Sequence, residues 1–126
     1  MIKKTVEYLD YNGNERKEDY YFNVSEPEIL DGVVDDLSSL IKMIQSGNDP
    51  DGKTIIKTFK ELVLKAYGVI GDDGRRFVKS EELSTAFSQT EAYSKIFMGL
   101  ATDTKEALLF IKGILPADIA KDIVID

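Results

Sequence analysis

Two loops and three pairs of carboxylates hold the groups best suited to chemistry. In residues 71–76, GDDGRR, glycines and arginines could cradle a phosphate, and the carboxylates could hold a hard cation. A calcium loop with Gly74 at its invariant glycine position would take its first and last ligands from Val69 and Ser80, neither of them a carboxylate. Aligning Gly52 of NDPDG in the same way puts Gly47 first and Thr58 last. A phosphate loop needs Lys and then Ser or Thr directly after its glycine run at the head of a helix, and Gly74 is followed by Arg75-Arg76 instead. Both segments therefore read as turns. Asp35-Asp36, Asp72-Asp73 and Glu81-Glu82 offer acid–base groups, but adjacent residues diverge on a helix, and no spacing sets two carboxyls across a pocket. Lys53, Lys57 and Lys60 share a helical face without interleaved aromatics, which is the pattern of a solvated surface.

Composition removes most other catalytic chemistry. The chain has no His, Cys or Trp, which excludes disulfides, thiolate or imidazole metal sites, and nucleophiles that depend on histidine or cysteine. No catalytic residue, metal or cofactor is expected, and the chain reads as a non-enzyme. With 126 residues, 43% hydrophobic and 31% charged, it has the length of a single domain and the composition of a folded one. No apolar run approaches the roughly 20 residues that span a bilayer. The start, MIKKTVEYLD, has charges where a signal peptide would need its hydrophobic segment, so a cytoplasmic location without a membrane partner is expected. The net charge of −7 is uneven: residues 25–52 carry seven carboxylates against one lysine, and residues 53–79 carry seven basic groups against three acidic. An acidic whole argues against non-specific nucleic-acid binding and leaves the two regions to pair with each other or steer a protein partner.

The elements follow from period and punctuation. Residues 3–9 and 16–24 are rich in Thr, Val, Tyr and Phe and flank Asn12-Gly13, which predicts a β-hairpin with Val6, Tyr8, Tyr20, Phe22 and Val24 on one face. Ser25 and Glu28 form a capping box before a helical run that reaches Ser46, with a break expected at residues 33–36. A helix from Asp51 or Gly52 carries Ile55, Ile56, Phe59, Leu62, Val63, Ala66 and Tyr67 on one face, with Gly68 as its stop. A short extended piece is expected at residues 76–78, then a helix capped by Ser80 with Leu83, Ala86 and Phe87 inward. The fold class is α+β, mainly α: one domain over 1–126, with a hairpin at 1–24, about five or six short helices at 25–116, and a C-terminal segment at 117–126. In that last segment Ile119, Ala120, Ile123 and Val124 suggest an amphipathic turn or two, either frayed or ordered by a partner.

Two helices at residues 88–116 have their own start signals: Ser88 with Glu91, and Asp103 with Glu106. Pro116 stops the second. Their apolar faces are wide, and Phe97, Met98, Phe110 and Ile111 exceed what two short helices need between themselves. A helix-binding groove from Ile96, Phe97, Leu100, Phe110, Ile111 and Ile114 is set against a plain core.

Read together, KKTVEYLDYNGNERKEDYYFNVSEPE, IIKTFKELVLKAYGV, DDGRRFVKSEELSTAFSQTEAYSKIFMGLATDT and ALLFIKGILP resemble the tail assembly chaperones of long-tailed phages and prophages of Gram-positive bacteria. The resemblance runs over nearly the whole chain in the same order. It implies a non-enzymatic assembly factor that binds the tail tape measure protein, keeps it soluble and helps recruit the major tail tube protein. Self-association is a further partner expectation. Such a factor works in the host cell cytoplasm and is absent from the mature virion. The competing classes are a prophage-encoded acidic inhibitor that mimics nucleic acid, for which residues 26–51 are the only sufficiently acidic stretch, and a small enzyme using carboxylates.

Overall fold

A computed structural model describes residues 1–32, 37–48 and 53–121. β1 (Ile2–Leu9) and β2 (Glu15–Phe22) form the expected hairpin, with Val6 opposite Glu18 and Tyr8 opposite Arg16. Only Gly13 of the loop takes a positive φ, +81°. The Gly13 N–H donates to the Asp10 carbonyl at 2.9 Å and the Asp10 N–H donates to the Asn14 carbonyl at 3.0 Å, closing a loop over residues 11–13. The Asp10 carboxylate accepts from the Asn12 and Asn14 amides, both at 2.9 Å, and so fixes the loop from inside. Even-numbered residues of both strands turn inward: Val6, Phe22 and Val24 are buried, and Tyr8 and Tyr20 pack half-buried against them.

The sheet is larger than a hairpin. β3 (Tyr67–Ile70) pairs with β2, and β4 (Phe77–Val78) pairs with β3, giving an antiparallel sheet in the order β1-β2-β3-β4. The helix expected to run through Tyr67 ends at Ala66, and Tyr67 turns extended (φ −66°, ψ 140°) to join the ladder. Its ring gains a stacked contact with Phe87, centroids 4.2 Å apart, which a further turn of helix would forgo.

Seven helices are present among the described residues: α1 (Glu26–Leu30), α2 (Leu37–Ser46), α3 (Thr54–Ala66), α4 (Glu81–Ser88), α5 (Glu91–Ala101), α6 (Thr104–Ile114) and α7 (Ala117–Ala120). The Ser25–Glu28 capping box closes as expected: each residue's side chain takes the other's amide. The expected break at 33–36, the 49–52 part of NDPDG, and Ile123 with Val124 lie outside the described residues. Three details differ from the sequence reading. Thr90, not Ser88, caps α5, its hydroxyl accepting from the Tyr93 amide at 3.0 Å. Ser88 still belongs to α4 and donates to the Thr85 carbonyl at 2.6 Å. Ala86 and Ile56 face solvent, while Phe87 and Phe59 turn inward. The core lies between the inner face of the sheet and α2–α6, centred on Phe22, Leu40, Phe59, Val63, Phe87 and Phe110.

Candidate functional site

The polar groups of the hairpin are arranged for structure. Glu18 accepts from the hydroxyls of Tyr8 and Tyr20, the latter at 2.9 Å, and Arg16 lies 3.9 Å away. The Tyr8 hydroxyl first, and Tyr20 second, hold the Glu18 carboxyl below its ordinary range. A carboxyl used as a general acid would need the opposite shift, so this group is an anchoring anion. Asp72 and Asp73 are exposed in the 71–76 turn, where Asp73 accepts from the Arg75 amide at 3.0 Å and Gly74 has φ +74°. Glu81 and Glu82 are exposed in the first turn of α4, and Asp35-Asp36 lies outside the described residues. No cluster of three or more metal-ligating side chains occurs among the described residues.

A second polar site locks the start of the helical layer. Lys79 donates to both oxygens of Glu28, at 2.7 and 3.0 Å, and to the Asn23 carbonyl. Partial burial pushes the Glu28 carboxyl up, but hydrogen bonds from Lys79 and Ser25 outweigh it, and the net shift is downward.

The structure brings the six apolar residues named from the α5–α6 pair together, but on the inside. Asp103 caps α6 as expected, and the tight connection through Thr102 and Asp103 folds α6 back on α5. Both helices then cross the inner face of β1, so their stripes have the sheet and α3 as partners. Ile96, Leu100, Phe110, Ile111 and Ile114 are buried. Phe110 meets Phe22 edge to face at 5.2 Å and Phe59 at 6.1 Å. Five of the six-residue set are therefore core side chains in this conformation. Phe97 alone is only partly buried, packed against the core with its ring between Phe59 at 6.2 Å and Tyr93 at 5.9 Å. Beside it Met98 is 55% exposed, and on α6 Leu109 is 42% exposed. The sequence reading passed over Leu109, although its position opposite Ala107, Phe110 and Ile111 on the helical wheel was the available signal.

These features define a small α+β protein, mainly helical, with a four-stranded sheet. No described helix is long and apolar enough to cross a membrane. Residues 1–125 match the family model described as phage tail assembly chaperone, and the chain belongs to that family. No curated protein and no solved structure matches it.

Proposed function

We propose that this chaperone binds the tape measure protein of its phage, keeps that protein soluble until the tail tube is built, and helps recruit the major tail tube protein. It does so in the host cell cytoplasm and is left out of the mature virion. The observation that carries this reading is membership of the tail assembly chaperone family over residues 1–125. A long helical client with an apolar stripe aggregates unless the stripe is covered, and the net charge of −7 would keep the loaded complex dispersed.

The client contact is assigned to the α5–α6 pair, entered from its accessible flank. Phe97 and Met98 on α5 and Leu109 on α6 supply the touching surface. Ile96, Leu100, Phe110, Ile111 and Ile114 serve it from beneath by fixing the two helices. Co-purification with the tape measure protein of the same phage tests both levels. The wild-type chain is expected to co-purify, and folded Phe97→Asp and Met98→Asp variants to lose roughly tenfold or more in yield, as removal of a buried apolar anchor does. Failure of the wild type would overturn the function, and undiminished recovery of both folded variants would overturn the contact surface.

A further inference from the structure

The outer edge of β1 has no strand beside it among the described residues, although the side chains of Glu7 and Thr5 already meet Lys17 at 3.9 Å and Asp19 at 2.6 Å across the hairpin. The Asp10 to Asn14 hydrogen bond sets the phase of the ladder. Even-numbered residues of β1 therefore exchange backbone bonds with β2, and Lys3, Thr5, Glu7 and Leu9 direct their N–H and C=O groups to the other side. Lys95 marks that direction, because its ammonium donates to the Glu7 carbonyl at 2.9 Å. Among the described residues no strand lies beyond β1. A long edge strand is ordinarily shielded, often by charges that repel a second strand. Here the outward residues Lys3 and Glu7 have opposite signs and stand symmetrically about Thr5, both exposed.

We propose that this edge pairs with the same edge of a second copy of the chain, antiparallel and centred on Thr5, joining two four-stranded sheets into one. Only odd-numbered residues face outward, so only registers that set odd against odd can form the backbone bonds. Centring on Thr5 places Lys3 opposite the partner's Glu7 and Glu7 opposite the partner's Lys3. Sliding by one repeat in either direction sets Lys3 against the threonine or leucine of the second strand and loses both charge pairs. An in-register parallel arrangement sets lysine beside lysine. The Lys95 ammonium, at the surface of α5, swings aside to let the partner's amide reach the Glu7 carbonyl.

Gly99 is the independent observation. It lies inside α5, where glycine weakens a helix relative to alanine. It lines the groove between α5 and β1, and a Cβ added there would meet nothing within 4 Å. No packing among the described residues calls for it, in contrast to Gly113, where a Cβ would run into the side chain of Ile2. The twofold that pairs the strands keeps both helical layers on the same side of the sheet and carries α5 toward its copy along this flank. A missing side chain there lets the two backbones approach.

Sedimentation velocity of the full chain from micromolar to millimolar concentration tests the pairing, with circular dichroism confirming that each variant is folded. The wild type is expected to show a reversible monomer–dimer equilibrium. Lys3→Glu and Glu7→Lys should each weaken it about tenfold, since each reversal disturbs two symmetry-related cross-strand pairs. The double reversal should return to within about threefold of the wild type, because the pairs are re-formed with their signs exchanged. Gly99→Gln, a substitution that favours the helix, should leave the fold at least as stable and weaken the dimer. A wild type that is monomeric at every concentration overturns the proposal. So do single reversals that associate as tightly as the wild type, which would assign association to another surface, and a double reversal no tighter than the single ones.

Discussion

At the scale of single residues, two side chains report most clearly on how the core is held. Tyr93 is buried, and among the described residues its hydroxyl has no hydrogen-bond partner. Burial alone pushes its ionisation upward. A buried hydroxyl without a partner costs about 1–3 kcal/mol, so Tyr93→Phe is expected to keep the ring contacts with Phe87 and Phe97 and to stabilise the fold by about 1 kcal/mol in urea denaturation. Lys79 is the opposite case, a partly buried ammonium with three oxygens around it. Lys79→Met should cost about 1–2 kcal/mol near neutral pH, the range for a charge-assisted bond that is not fully buried. Because the Glu28 carboxyl is lowered on folding, its stabilisation is complete above the ordinary glutamate range and disappears as the pH falls through the lowered value. The gap between wild type and Lys79→Met in a melting series should therefore close on acidification. A gap that stays constant would show that the pair is not coupled to folding.

At the scale of elements, the hairpin and the caps at Ser25, Ser80 and Asp103 were legible because each rests on local chemistry: loop glycine, alternating side chains, an oxygen placed to take a free amide. β3 was not legible. Tyr67 falls on the helical period of α3 and no spacer precedes it, so only its pairing with β2 and its stack on Phe87 decide for strand. Gly68 then has a role beyond ending a helix: a Cβ there would lie 2.6 Å from the Phe77 ring and 2.9 Å from the Val78 carbonyl oxygen. Gly68→Ala is expected to destabilise the fold by about 1–3 kcal/mol, through displacement of β4. The α5–α6 stripes were read correctly as apolar, but a stripe does not say what covers it. That β1 and α3 do so is a property of the assembled sheet. The difference is measurable: Phe110→Ala should cost about 4 kcal/mol and Phe97→Ala roughly half of that in denaturant unfolding. Equal costs would contradict the burial assigned to them.

At the scale of the whole molecule, most of the large apolar side chains are gathered into one core. The bundle of about five or six short helices expected from the sequence becomes, among the described residues, seven helices and a four-stranded sheet, and the large aromatic side chains close one core between them. What remains outside is a set of acidic and basic surfaces and a few exposed apolar side chains, Met98 and Leu109 among them. The family was legible from long stretches that run in the same order from the hairpin to Pro116, whereas the exposure of Met98 and Leu109 was not, because it depends on which apolar side chains the fold leaves uncovered. The proposed role of the chain is to shield another protein's apolar surface during tail assembly. Its most direct test is the fraction of tape measure protein that stays in the soluble phase when produced alone and when produced together with this chain. A large rise in that soluble fraction, with the two proteins eluting together, is expected; an unchanged fraction with separate elution would contradict it.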